Sequence, residues 1–277
     1  MCRPGLRQRW REGWRRAGFA GPDPFRESSS GGVLRLRSLP FICFSEPEDG
    51  FGLQQAVLEA VGSGRLGATM LLWSSSPYVA ATRLEARSAG FEAAVSQAQA
   101  LGFPVMVRNS GGGAVAANEG SISFSLTFPV ADLRQGLYER YAEGVAVVAA
   151  ALRRVGVAAE GGEVEGEFCP GAYSVRSGGW AGVKHAGLAQ RVTKRAARVE
   201  ALVLAERTRE LVPVLKSVYS ALDKPFRAAC LGDVEAGRRG VIGALEAEVA
   251  DRYDLTELSL PRDLRERSRE LRGGWRA

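Results

Sequence analysis

The sequence predicts an α+β domain in which helices alternate with antiparallel strands. Three observations support that class. Residues 121–128 alternate polar and apolar side chains, the period of a sheet with one buried face. The stretch from about 131 to 155 repeats apolar residues at helical spacing through Leu133, Leu137, Tyr141, Val145, Val148 and Leu152. The chain has 277 residues, 45% of them hydrophobic, which suffices for the core of one large domain. Helices and turn-linked strands are interspersed, so a doubly wound parallel sheet fits less well.

The elements follow in order. Residues 34–40 read as a lead-in with a short strand. A helix spans 47–62, with Leu53, Val57, Ala60 and Val61 on one side and a Gly-Ser-Gly stop. Residues 70–73 form a buried strand, and 78–82 a second one after a Ser/Pro turn. Residues 87–101 are helical through Phe91, Val95 and Ala98, and Gly102 ends them. A strand at 104–108 leads into a glycine-rich connection, then the strand at 121–128 and the long helix. A hairpin or meander holds residues 167–191, and a strand at 199–204 closes it. Two further helices are expected at 207–222, with Pro213 near the start, and at 241–249.

Three segments divide the chain. Residues 1–32 carry Arg3, Arg7, Arg9, Arg11, Arg15 and Arg16 without the apolar run of a secretory signal. They read as a basic, disordered tail or as a start placed too far upstream. Residues 33–257 are the main folded domain, and 258–277 a charged C-terminal tail. The net charge of +6 suits acidic protein partners. No motif indicates nucleic acid, and no run approaches the ~20 apolar residues that span a bilayer.

Cys2, Cys43, Cys169 and Cys230 show neither paired spacing nor a finger pattern, so neither a disulfide framework nor a metal site is expected. A reducing cytoplasm fits. His185 is the only histidine and directly follows Lys184, so in a strand it faces the opposite side. A Cys-His or Ser-His mechanism is disfavoured.

The chemistry concentrates at Cys169 and Lys184, fifteen positions apart. A strand, a turn and a return strand bring such positions together. A thiol near a cation is a nucleophile able to carry an acyl group. A partly buried lysine can serve as general acid and base. Taken alone, a cysteine beside a strand is most often a small buried apolar side chain, and a lysine in a glycine-rich turn is most often solvated. Residues 108–115 connect two strands as Arg-Asn-Ser-Gly-Gly-Gly-Ala-Val. Consecutive glycines allow close backbone approach, and their N–H groups can hold a carboxylate, phosphate or acyl carbonyl. The segment is neither a Walker loop nor a dinucleotide fingerprint.

Three separated features together resemble the biotin/lipoate protein ligase and octanoyltransferase superfamily. The first is Arg108-Asn109-Ser110-Gly111-Gly112-Gly113-Ala114-Val115 followed by Glu119-Gly120. The second is Gly182-Val183-Lys184-His185-Ala186-Gly187-Leu188-Ala189-Gln190. The third is Phe168-Cys169-Pro170-Gly171-Ala172-Tyr173, which resembles the segment of the branch that works through a thioester. The likeness runs from about residue 40 to 249 and is nearest the Cys-Lys octanoyl/lipoyl amidotransferases. It implies an α+β fold with a mixed, largely antiparallel sheet flanked by helices. It also implies transfer of an octanoyl or lipoyl group through Cys169 to a lysine of lipoyl carrier domains. The implied partners are the glycine cleavage H protein and 2-oxoacid dehydrogenase subunits, with acyl carrier protein as a possible donor; no cofactor is required.

Cys169 and Lys184 are then catalytic. Arg108, Ser110, Gly111, Gly112, Gly113, Ala114, Tyr173, Ala186, Gly187 and Leu188 bind substrate, with the two glycine segments lending N–H groups to the oxyanion. Asn109 stands where many relatives have a second Arg, Ala117-Asn118 where ligases often have His-Asp, and Ser123 where an Asn is usual. Three alternatives remain open: an ATP-dependent lipoate–protein ligase, direct transfer from octanoyl-acyl carrier protein, and an acyl-carrier-binding protein without turnover.

Overall fold

A computed structural model describes residues 33–132 and 136–277 of the chain, and Arg35–Ala277 forms one unit. The basic segment 1–32 lies outside the described residues. The larger sheet begins with β1 (Arg35–Ser38) and β2 (Ile42–Phe44). Both run parallel to β3 (Thr69–Ser75), one along its start and the other along its end. Between them, α1 (Pro47–Gly62) starts on a proline, which has no N–H to leave unpaired, and carries Glu48 and Asp49 in its first turn, where carboxylates favour the helix dipole. Its buried face includes Leu53, Val57, Ala60 and Val61, the stripe read from the sequence.

A smaller three-stranded sheet follows. It consists of β4 (Tyr78–Thr82), flanked by β5 (Val105–Arg108) in parallel and β6 (Val115–Ala117) antiparallel. Helix α2 (Phe91–Ala100) connects β4 to β5. A 3-10 turn at Glu85–Arg87 and a bend precede it, so the helix expected from residue 87 begins at Phe91. The glycine-rich segment is the connection between β5 and β6.

The chain then returns to the larger sheet through β7 (Ser121–Pro129). Helix α3 (Leu137–Arg154) starts at Gly136, whose φ of 71° only glycine adopts at little cost; Leu133, the first residue of the expected stripe, lies outside the described residues. The sheet continues antiparallel through β8 (Glu160–Gly161), β9 (Ser174–Ser177), β10 (Val183–Val192) and β11 (Ala196–Leu204). Helices α4 (Leu211–Ala221) and α5 (Gly237–Arg252) follow, then β12 (Asp254–Glu257) and α6 (Arg262–Glu270). Pro213 falls in the first turn of α4, where its missing N–H costs nothing. The larger sheet has the order β12-β1-β3-β7-β11-β10-β9-β8 with β2 beside β3, parallel at the β12 end and antiparallel from β3 onward. The fold is therefore α+β with a mixed, largely antiparallel sheet, as expected.

The segment expected as a charged tail, 258–277, is part of this unit instead. Leu264 and Trp275 are buried in the apolar cluster that α1 forms with β3 and β4, and Trp275 stacks on Phe51 at 5.5 Å. Val107 N donates to Trp275 O at 2.7 Å and Ala277 N to Val105 O at 2.9 Å, so the chain end lines the free edge of β5. Two well-spaced apolar anchors suffice, while the charges of α6 face solvent or pair with α1 through Arg267 and Glu59. The folded unit thus runs to residue 277 and not to 257. A second apolar cluster lies between α2, α4 and the smaller sheet, and Cys169 packs against it.

Candidate active site

The site lies where the smaller sheet meets the larger one. The β5–β6 connection brings glycines to it, β10 brings Lys184, and the loop ahead of β9 brings Cys169. Cys169 has φ of 45°, a left-handed conformation that costs a non-glycine residue about 1–3 kcal/mol unless its surroundings impose it. Here they do. Its N–H donates to the Tyr219 hydroxyl at 2.5 Å, and that hydroxyl donates to Ala114 O at 2.9 Å. Lys184 Nζ donates to Phe168 O at 2.8 Å and to Cys169 O at 3.1 Å, gripping the peptides on both sides of the thiol-bearing carbon.

The sulfur itself is a hydrogen-bond acceptor. Gly113 N–H donates to Sγ at 3.0 Å, and an Arg108 guanidinium nitrogen lies 3.9 Å away. Gly112, with φ of 100°, makes that approach possible, because a Cβ there would sit 2.7 Å from Sγ. The glycine loop therefore holds the Cys169 sulfur.

Lys184 is fully buried. Besides the two carbonyls, its Nζ meets Glu167 Oε1 at 3.4 Å and the Phe168 ring at 4.6 Å. Burial lowers the Lys184 pKa, and the charge of Glu167 works against that shift. Gly187 leaves room for this side chain, since a Cβ there would lie 3.2 Å from Lys184 Cε. A bulge in the β9–β10 register falls between Lys184 and Ala186. His185 turns away from the thiol to hydrogen-bond Ser177 Oγ at 2.8 Å.

On the other flank, Arg108 donates to Gly113 O at 2.8 Å and to Ser110 Oγ at 3.1 Å. Ser110 Oγ donates to Glu200 Oε1. Glu200 Oε2 accepts from Arg198 at 2.6 Å and from Gln54 at 2.5 Å, and Gln54 Oε1 accepts from Trp73 at 2.9 Å. Cys169 and Lys184 both border a cavity whose walls include Phe51, Trp73, Tyr78, Val115, Leu188 and Leu202. Burial raises the Tyr78 pKa to about 12, so its hydroxyl stays neutral.

Of the residues expected to bind substrate, Arg108, Gly187 and Leu188 line this cavity. Ser110 and Gly113 act one step behind it. Ala114 is an anchor: its N–H donates to Glu85 Oε1 at 2.9 Å and its carbonyl holds Tyr219. Gly111 is exposed, and Ala186 is buried away from the cavity. Tyr173 stacks on Tyr141 at 3.9 Å and is not a wall residue. The Leu188 N–H donates to Tyr173 O at 3.1 Å and is not available to an oxyanion. Sequence reasoning missed Glu167, Tyr219, Glu200 and Gln54. Only Glu167 had a signal, as a carboxylate two residues ahead of the cysteine. Among the described residues, no cluster of three or more His, Cys, Asp or Glu side chains is placed to hold a metal ion, and no helix is long and apolar enough to cross a membrane.

Residues 46–220 match the model of the lipoyl protein ligase A/B catalytic domain. The chain belongs to that family. It is 32% identical over 146 residues to the octanoyl-[GcvH]:protein N-octanoyltransferase of Geobacillus kaustophilus, covering 53% of this chain and 50% of that protein. The Bacillus velezensis protein of the same name is 28% identical over 210 residues, covering 74% and 68%. The chain spans about half the length of the first relative. Among solved structures, lipoate-protein ligase A bound with ATP superposes with a TM-score of 0.68 over 87% of this chain and 95% of that one, at 18% identity. At that identity the likeness is one of fold.

Proposed function

We propose that this protein moves an octanoyl or lipoyl group from a carrier protein to a lysine of a lipoyl carrier domain through a thioester on Cys169. The observation that carries the reading is the placement of the sulfur. Sγ accepts the Gly113 N–H at the edge of an apolar-walled cavity that Lys184 also borders. An acyl chain in that cavity would present its carbonyl to the sulfur. Each methylene buried contributes about 0.8 kcal/mol, roughly fourfold in affinity, so the cavity walls discriminate chain length.

The reaction runs in two halves. The Cys169 thiolate attacks the carbonyl carbon of the donor's acyl-lysine amide. Lys184 enters as an ammonium, because its contacts are two carbonyls and a carboxylate, all acceptors. As the C–N bond breaks, Lys184 gives a proton to the departing amine. The Gly113 N–H, released from the thiolate, is free to bond the oxyanion; such donors are worth about 10²–10³ in rate. In the second half, the acceptor's lysine amine attacks the thioester, returns its proton to Lys184 and expels the thiolate. Protons balance over the cycle without a cofactor.

The relatives' names give octanoyl-[GcvH] as the donor, which supports a glycine cleavage H protein in that role here; lipoyl domains as acceptors and a cytoplasmic location belong to the same proposal. The ligase neighbour with bound ATP supplies the competing reading, in which Cys169 is idle. Three donors offered in parallel separate the readings: octanoyl-H protein, octanoyl-acyl carrier protein, and octanoate with ATP. Transfer to a lipoyl domain from octanoyl-H protein without ATP is expected. Transfer confined to octanoate plus ATP, or full activity in Cys169→Ala, would overturn the proposal.

A further inference from the structure

We infer that Glu167 is a positioning residue of this reaction: its buried carboxylate holds Lys184 as an ammonium against the Cys169 peptide, so that acid catalysis of the first half depends on it. The inference rests on the thioester reading above. Both side chains are fully shielded from solvent, and they meet at 3.4 Å. Glu167 is itself fixed from two sides. Its Oε1 accepts from Ser174 Oγ at 2.7 Å and its Oε2 from Val164 N at 3.2 Å. The carboxylate is thus aimed at Nζ by the first residue of β9 and by its own loop, one turn of chain ahead of the thiol.

Among the described residues, no other anionic side chain takes this place. The titratable groups facing Lys184 are Glu167, Cys169 and Cys230. Cys230 belongs to the 3-10 turn Ala228–Cys230, next to Leu231, which bridges Lys184; it is buried, and burial raises its pKa, so it holds its proton. Arg176, the register partner of Lys184 on β9, turns to Glu160 and to the Glu163 carbonyl. Burial alone disfavours an ammonium at this position, and the carboxylate is the counterweight. Two consequences follow for proton movement. With Glu167 in place, Lys184 starts each cycle charged and can protonate the leaving amine. In the second half the same carboxylate still favours the charged form, and so opposes the neutral amine that must accept the proton of the attacking amine. Without the carboxylate, the neutral amine form gains, which weakens the first half and leaves the second half its base.

A merely structural role for Glu167 would depress both halves alike, so the halves are measured separately in Glu167→Gln. Acylation is followed in single turnovers with an octanoylated lipoyl carrier protein, from pH 6 to 10. Aminolysis is followed from enzyme charged on Cys169 with p-nitrophenyl octanoate, using an apo lipoyl domain as acceptor. The expected result is acylation slowed about tenfold near neutral pH, with its alkaline decline moved down by about one pH unit. Aminolysis is expected to be unchanged or faster at the same pH. Equal loss in both halves at every pH, or no change in either, overturns the role of Glu167. If Glu167→Gln does not fold, Ser174→Ala removes only the 2.7 Å bond that aims Oε1 at Nζ. It should slow acylation about threefold without raising KM, and an unchanged acylation rate overturns the inference. A parent enzyme that never acquires an octanoyl group on Cys169 overturns the thioester reading instead, a separate outcome.

Discussion

Two carboxylates support the site of Cys169, Glu167 buried and Glu200 half-buried, and they differ in what they hold. Glu200 sits among the Arg108 and Arg198 guanidiniums, Ser110 and Gln54. Guanidiniums keep their charge throughout the working pH range, so that flank is electrically fixed. Its output is geometry: Arg108 is held on Gly113 O, and the glycine loop keeps its N–H on the sulfur. Glu167 faces a lysine whose charge is loosened by burial. That flank can exchange a proton. On the proposed reading, the site separates the part that holds the Cys169 sulfur from the part that moves hydrogen ions. This division suits a reaction whose two halves need opposite proton transfers by one group.

Substitutions on the two flanks should differ in kind as well as in size. Lys184→Met removes the proton carrier, and the transfer rate should fall by about 10²–10⁴ in a steady-state assay with octanoylated carrier. A smaller loss would move the acid–base role elsewhere. Glu200→Gln leaves two guanidiniums with one anion fewer. It should slow transfer about tenfold, by the same factor at every pH, because no proton carrier is touched. A displaced pH profile in that variant would erase the contrast with Glu167. Tyr219→Phe removes the hydroxyl that ties the Cys169 N–H to Ala114 O. It should lower kcat about three- to tenfold with KM unchanged, and hydrogen exchange at the Cys169 amide should quicken. Unaltered exchange would mean that the left-handed Cys169 backbone is held by Lys184 alone.

The fold class was legible because β7 shows strict alternation and α1 and α3 carry long apolar stripes. Short strands were not: β2, β6 and β12 have three or four residues each, too few for a period to show. Helix α6 is dominated by charge, and its two buried residues, Leu264 and Ser268, give no stripe. In the site, Cys169 and Lys184 could be read from local motifs. Their supports could not, because these are joined only by the fold. Tyr219 reaches Cys169 across 50 positions, Glu200 reaches Ser110 across 90, and Gln54 reaches Glu200 across 146. Tyr173 shows the opposite limit: its place in the cysteine motif suggested the pocket, but Tyr141 offers its ring a face to stack on.

The most direct measurement is the mass of the protein after brief exposure to an octanoylated lipoyl carrier without acceptor. An added octanoyl group that maps to Cys169, and disappears when apo lipoyl domain is supplied, is the expected result. Transfer that proceeds with no acyl group ever found on Cys169, or with the group on another residue, would contradict a thioester on this sulfur.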